Sequence, residues 1–311
     1  MNYIFIILAF VISVCIALFV IPRILLISLR KRLFDIPDKR KIHTCAIPRL
    51  GGVSFFPTIL FSCCLVLAFR TITGYYISDL HATCFLLECL FLVCGLTLLY
   101  LTGITDDLIG VRYRQKFVIQ ILCACFFSIA ELWINDLYGL LGIYAIPNWI
   151  GIPFTILTIV FITNAINLVD GLDGLASGIS AIYFLTIAII AIILNRLGGL
   201  DIILSLIMLG ATLGFLFHNF PPAKIFMGDT GSLFLGFMIS IIALLGYKVT
   251  TFTSLVVPVV ILAIPIFDTA FAIFRRLLKG QNIAVADKEH FHHQLLKMKY
   301  SPVASILIIY A

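Results

Sequence analysis

Charge is what this chain of 311 residues has least of. Only 12% of its residues are Asp, Glu, Lys or Arg, against about 25% in an ordinary globular domain, while 62% are hydrophobic and the mean hydropathy is +1.17. A chain so poor in charge cannot cover itself with a wettable surface, which excludes a cytosolic enzyme, a disordered tail and a secreted disulfide scaffold. Strict alternation of apolar and polar residues is also missing. The apolar runs continue for about 20 residues, so an outer-membrane barrel is excluded too. No CxxC pair exists among the nine cysteines, and all but Cys45 lie in apolar runs, where thiols pack as small hydrophobes. Neither a sulfur metal site nor a disulfide framework is expected, and Cys45 in a basic loop suits a reducing compartment. The first apolar stretch, Tyr3 to Ile21, lacks both a basic leader and a small-residue cleavage site, so it reads as a spanning helix and not a removed signal. Nucleic acid is not an expected partner, because the net charge of +6 comes from basic residues beside apolar segments and not from a long basic face.

What remains is an all-α, polytopic integral membrane protein with the lipid bilayer as its surroundings. Stretches able to cross a hydrocarbon core of about 30 Å predict helices near 3–29, 52–70, 81–103, 117–134, 149–165, 178–195, 200–217, 232–247 and 252–274. A tenth begins near Ser301, but Ser301 to Ala311 supplies 11 residues, about half a crossing; the chain is either shortened there or that segment does not span. The expectation is about nine complete transmembrane helices plus part of a tenth, in a single domain over 1–311 without internal repeats or low-complexity linkers. Arg30-Lys31-Arg32 places the end of the first helix in the cytoplasm and the N-terminus outside. The loops 30–51, 104–116, 166–177, 218–231 and 275–300 then hold 17 of the 21 Lys and Arg residues, an asymmetry that hydropathy did not build in.

The same loops also hold nine of the 15 acidic residues. Acidic residues contribute little to topology, so they need another reason, and chemistry on that face is the leading one. Asp106-Asp107 repel each other at a helix end unless a cation, a shared proton or a basic partner offsets them; Lys116 follows at the next helix start. A solvated turn ending at Gly110 would also account for them. The richest segment is Asn164-Ala-Ile-Asn167-Leu-Val-Asp170-Gly171-Leu-Asp173-Gly174-Leu-Ala-Ser177-Gly178. There Asn167, Asp170 and Asp173 recur every three residues and share one side of a helical turn, while the glycines allow close approach of an anion to backbone N–H groups. Gly228-Asp229-Thr230-Gly231-Ser232 reads equally well as an N-cap or, with Asp229, as a metal ligand. Asp268 with Arg275 fits a structural pair two turns apart. His290-Phe291-His292-His293 lacks a fourth zinc ligand, so phosphate or nucleotide contact is favoured over zinc. Arg49 belongs to Pro48-Arg49-Leu50-Gly51-Gly52, which shapes a helix start beyond what a topology signal needs.

Carboxylates grouped in this way would repel a phosphorylated substrate without a bound divalent ion. Mg²⁺ suits hard oxygen ligands completed by waters and substrate phosphates; Asn167 and Asp229 are its candidate ligands. Phosphoryl transfer needs mainly positioning and charge neutralisation, to which Arg49, Lys116 and the histidines contribute. Composition and spacing therefore point to a Mg²⁺-dependent phosphotransfer site at the membrane interface.

In their order and placement, Asp106-Asp107 with Lys116-Phe117, the Asn164 to Ala176 run, Gly228-Asp229-x-Gly-Ser232 and His290-x-His292-His293 resemble the polyprenyl-phosphate N-acetylhexosamine-1-phosphate transferases (glycosyltransferase family 4 type). The resemblance covers the chain from about Asp35 to His293. It implies transfer of a sugar-1-phosphate from a UDP-N-acetylhexosamine to undecaprenyl phosphate with release of UMP, at the cytoplasmic face of a bacterial inner membrane. By motif it makes Asn167 and Asp229 magnesium ligands (Mn²⁺ being an alternative metal), and Asp106 and Asp107 a catalytic pair near the lipid phosphate. Asp170 and Asp173 fall on the catalytic or nucleotide side, and Lys116, Arg49, His290, His292 and His293 on phosphate. The Arg40 to Gly52 loop resembles the branch that uses UDP-N-acetylglucosamine in O-antigen, enterobacterial-common-antigen or teichoic-acid linkage assembly. The N-acetylmuramoyl-pentapeptide branch ends its motif in three consecutive histidines, a run that Phe291 interrupts here. A homodimer is compatible with this reading. A cation transporter would need more acidic residues inside the spans than Glu88, Glu131 and Asp268, and a CDP-alcohol phosphotransferase would compress its acidic motif into one helix. The sugar, the polysaccharide pathway, the oligomeric state and the choice between direct attack and an aspartyl-phosphate intermediate are not written in these motifs.

Overall fold

The structure, a computed structural model, describes residues 2–35, 47–74, 79–140, 142–250, 259–278, 280 and 291–310. It is helical throughout, apart from two small antiparallel pairings. In chain order come α1 (Asn2–Lys31), β1 (Phe34–Asp35), β2 (Ile47–Pro48), a 3₁₀ turn (Gly51–Ser54), α2 (Phe55–Ile72), α3 (Asp79–Ile109) and α4 (Tyr113–Ile129). β3 (Asp136–Leu140), β4 (Ile143–Ala145), α5 (Asn148–Val169), α6 (Leu175–Ile193), α7 (Leu200–Asn219) and α8 (Gly228–Thr250) follow, then α9 (Ala263–Leu278), α10 (Phe291–Lys297) and α11 (Pro302–Tyr310).

Seven helices among the described residues are long and apolar enough to cross a membrane: α1, α2 with its 3₁₀ turn, α3 from Leu86, α5, α6, α7 and α8 to Lys248. The span expected near 117–134 is a 17-residue helix, α4, that stops at Ile129. The chain then turns through Glu131, whose φ is +58°, into the β3–β4 hairpin that hydropathy did not foresee. The Tyr247 hydroxyl accepts the Asp136 N–H at 2.7 Å and donates to Asn135 Oδ1 at 2.8 Å, tying this hairpin to α8. The span expected near 252–274 falls partly outside the described residues, and its second half is α9.

Helices in lipid gain no hydrophobic drive against each other, so small residues that let backbones approach decide which ones pack. On α7, Gly210 and Gly214 sit one turn apart against Ser13 and Ala17 of α1, and a Cβ on either glycine would collide with those residues. The apolar window of α1 is only 33% buried, whereas that of α8 is 100% buried. A helix apolar on all sides belongs at the centre of a bundle, and α8 takes that place, packed against α3 and α5. Its N-terminus thereby meets the C-terminal ends of both, which is where the sequence put its acidic motifs.

Candidate active site

The motif-bearing ends of α3, α4, α5 and α8 converge on one carboxylate cluster. Asp106, Asp107 and Asp229 each offer an oxygen, all within 4.8 Å of one another. Asp106 lies in the last turn of α3, where its Oδ1 accepts the Val111 N–H at 2.7 Å beyond Gly110. Lys116, in the first turns of α4, donates from Nζ to Asp106 Oδ2 at 2.6 Å and to Asp229 Oδ2 at 2.5 Å. One ammonium thus bridges carboxylates 123 positions apart in sequence.

Asp107 has a different environment, although it is the next residue. Its side chain is 0% exposed. Oδ1 accepts the Asp229 N–H at 2.8 Å; Oδ2 accepts the Thr230 N–H at 3.0 Å and the Thr230 hydroxyl at 2.5 Å. Asp107 therefore caps α8 from another helix, satisfying N–H groups that a helix start leaves without partners and placing negative charge at the positive end of its dipole. Gly228 opens α8 at φ +69°, and a Cβ there would press on the Asp107 carboxylate, so this junction requires glycine.

Asn167, near the end of α5, donates from Nδ2 to Ser232 Oγ at 2.7 Å and to Asp229 Oδ1 at 3.3 Å. With its nitrogen so engaged, its carbonyl oxygen is the atom a cation could take. Asp170 follows in the turn after α5. Burial, with the Asp229 and Asp107 charges next in weight, pushes its carboxyl well above the usual carboxylate range, against the pull of Arg49. Asp173 accepts the Ala223 N–H at 3.0 Å and so ties the 170–174 turn to the segment that leads into α8.

Backbone pairing brings in the basic loop. Phe226 N–H donates to Pro48 O at 2.7 Å, and Gly51 and Gly52 N–H donate to Phe226 O and Met227 O, both at 2.9 Å. This sets the Pro48 to Gly52 segment beside the start of α8 and puts Arg49 Nη2 3.9 Å from Asp107 Oδ1. Seven of the anticipated residues, Asp106, Asp107, Lys116, Asn167, Asp170, Asp229 and Arg49, therefore share one site, with Asp173 at its edge. His290 lies outside the described residues; His292 and His293 fall in α10 by backbone only.

Several residues of this region were not singled out from the sequence. Thr230 completes the Asp107 cap. Asn219 accepts the Gly174 N–H and donates to Ile225 O, both at 2.9 Å, and Tyr310 OH donates to Gly174 O at 2.6 Å. Asn219 has a sequence signal only in hindsight, as an amide just ahead of Pro221-Pro222. Tyr310 has none, because an aromatic residue in an apolar run is ordinary.

A carboxylate-rich, partly buried site at the end of an all-helical membrane bundle is what a membrane-embedded group-transfer enzyme requires. Residues 89–247 match the profile of glycosyl transferase family 4, and the chain belongs to that family. It is 40% identical over 315 residues to a "Probable undecaprenyl-phosphate N-acetylglucosaminyl 1-phosphate transferase" of Bacillus subtilis, covering 98% of this chain and 81% of the relative. Identity is 32% over 297 residues to a "Decaprenyl-phosphate N-acetylglucosaminephosphotransferase" of Mycobacterium tuberculosis, covering 88% and 71%. A "Phospho-N-acetylmuramoyl-pentapeptide-transferase" of Staphylococcus carnosus is 30% identical over 262 residues, covering 79% and 76%.

Proposed function

We propose that this protein transfers N-acetylglucosamine-1-phosphate from its UDP-sugar to undecaprenyl phosphate, releasing UMP, as a Mg²⁺-dependent enzyme of the bacterial inner membrane whose site faces the cytoplasm. The observation that carries this reading is the Asp106, Asp107 and Asp229 cluster with Lys116 bridging it, at the mouth of a membrane bundle. The donor set fits a hard divalent cation: Asp106, Asp107 and Asp229 bring carboxylate oxygens within 4.8 Å of one another, and Asn167, whose amide nitrogen reaches Asp229, adds an amide oxygen to the same site. Bound there, Mg²⁺ would supply positive charge against the diphosphate of the donor. In the reaction an oxygen–phosphorus bond forms between the lipid phosphate and the β-phosphorus, and the bond to UMP breaks.

The residues of the chain divide the remaining work. Asp107, with both oxygens engaged by α8, orients Asp229. Lys116 holds Asp106 and Asp229 together and offers a cation to an entering phosphate. Arg49 offsets charge from the other side, and Asp170 adds a further carboxyl beside them. An open groove of about 600 Å³ along α9, walled by Phe267, Phe271 and Phe274 with Asp268 and Arg275 among its lining, has the chemistry to take an isoprenoid chain. The N-acetylglucosamine donor is preferred over the muramoyl-pentapeptide donor because the most similar relatives compared carry the former name and because Phe291 breaks the histidine run.

The test is a panel of UDP-sugars offered to purified protein with undecaprenyl phosphate, followed by UMP assay and mass spectrometry of the lipid. UDP-N-acetylglucosamine should give UMP and a lipid diphosphate sugar only with Mg²⁺ or Mn²⁺. Release without a divalent metal would contradict the metal assignment, and a product formed only from the muramoyl-pentapeptide donor would reverse the choice of sugar.

A further inference from the structure

One turn deeper in the bundle than Lys116 and Asn167, a polar pair sits where the chain is otherwise apolar. Gln120 of α4 is 1% exposed. Its Oε1 accepts from Asn164 Nδ2 at 2.6 Å, and its Nε2 faces Asn164 Oδ1 at 3.4 Å. The second proton of the Asn164 amide goes to Val160 O of its own helix at 2.7 Å. The two side chains thus meet amide to amide across the α4–α5 interface, within the apolar length of both helices.

The spacing relates this pair to the site. Gln120 is four residues from Lys116 on α4 and Asn164 is three from Asn167 on α5, so each amide lies on the same face as its site residue, one turn further in. Lys116 and Asn167 both reach Asp229, at 2.5 and 3.3 Å. The α4–α5 interface therefore carries two layers: an upper one in which each helix delivers a donor to Asp229, and a lower one in which the helices bond each other. A slip of one helix by a single residue moves it about 1.5 Å, which would separate the amides and shift Lys116 relative to Asn167. Water is not at hand in that apolar layer to replace a lost partner, so the pair resists the slip.

We infer that Gln120 and Asn164 are positioning residues that fix the register of α4 against α5 and thereby the placement of Lys116 and Asn167 on Asp229. The inference rests on the phosphotransfer reading of the site. It goes beyond stabilisation of the bundle, because it predicts that breaking the pair alters the metal and phosphate chemistry of a folded protein. A misplacement of about 1 Å at such a distance from the chemistry can cost about 100-fold in rate.

The experiment uses full-length protein in detergent with four variants: Gln120→Leu, Asn164→Leu, the double Leu variant, and the exchanged pair Gln120→Asn/Asn164→Gln. UMP release is measured against Mg²⁺ concentration, Mn²⁺ binding by paramagnetic resonance, and folding by thermal unfolding. Each Leu variant should lower kcat by about 10-fold or more and weaken Mn²⁺ binding, leaving the KM for the UDP-sugar near wild type. The double variant should be no worse than either single one, since all three lose the same contact, and the exchanged pair should recover most of the loss. Gln120→Asn alone keeps the polarity and shortens one arm, so it serves if the Leu variants do not fold; it should show the same defect. Wild-type kcat and Mn²⁺ affinity in the Leu variants, or in Gln120→Asn, would overturn the inference even if thermal stability fell. Absence of metal-dependent UMP release from the wild-type protein would instead overturn the phosphotransfer reading and this inference with it.

Discussion

The two ends of the bundle treat buried charge in opposite ways. At the end away from the motifs, Glu88 pairs with Lys248 at 2.9 Å and Asp201 with Arg196 at 3.0 Å. Arg70, buried nearby, donates to Gly198 O at 3.1 Å. At the motif end, Asp106, Asp107, Asp170 and Asp229 gather around Lys116 and Arg49, so among the described residues of the site carboxylates outnumber cations. Single acid–base pairs of this kind hold helices in place and ask for nothing more. A surplus of negative charge costs stability unless a cation completes it, and protein that keeps such a surplus is storing affinity for one.

The sharpest way to break this comparison is to remove charge at the surplus end. Asp229→Asn should lower UMP release by about 10²–10³-fold, the scale for losing a principal electrostatic group of a transfer site, while the protein stays folded and monodisperse in detergent. Near-normal turnover would sink the assignment of Asp229. Asp107→Ala should act through α8: the loss of a charged cap costs about 1.5–3 kcal/mol and should lower activity together with thermal stability, unlike Asp229→Asn. If Asp107→Ala left stability untouched, the capping role would be wrong.

Asp170 gives the comparison a pH axis. Burial and the neighbouring carboxylates penalise only its ionised form. The folded state therefore has its full stability below the ordinary carboxylate value of 3.8 and loses some as pH climbs toward the raised value of Asp170. Asp170→Asn removes that penalty. In metal-free buffer the variant should melt about 2–4 °C above wild type at pH 8, the shift expected for roughly 1 kcal/mol, and the gap should close near pH 4. A variant that melts below wild type at pH 8 would mean that Asp170 is stabilised as an anion. The smallest effect on activity is expected at the balanced end. Asp201→Asn removes the carboxylate charge that half-buried Arg196 faces and should cost about 1–3 kcal/mol, yet turnover per folded molecule should remain at the wild-type level. A large loss of kcat there would erase the distinction between the two ends.

Much of the site was legible in the sequence because the motifs supply their own contrast. Carboxylates are conspicuous in a chain with so few of them, so Asp170 and Asp229 stood out, and Asn167 did so by its three-residue spacing from Asp170. The division of labour between Asp106 and Asp107 was not legible, since adjacent residues at a helix end look alike until α8 is seen docking on one of them. Lys116 was anticipated as a phosphate cation; its role in bridging Asp106 and Asp229 depends on α4 and α8 meeting, which no local pattern states. Gln120 was passed over because a lone amide in an apolar run carries no period or motif. The β3–β4 hairpin, which falls between the spans expected near 117–134 and 149–165, was missed because its strands are only five and three residues long and carry no clear alternation.

The sequence alone indicated that the protein lives in the membrane, roughly where most of its helices run and which loops hold the acidic motifs. Those are consequences of hydropathy and of the cost of placing charge in lipid, both of which act residue by residue. Tertiary structure decided which carboxylates face one another, which one caps a helix and which cation lies between them. These are relations between segments more than 100 residues apart, set by how small residues and a fully buried α8 allow the helices to pack.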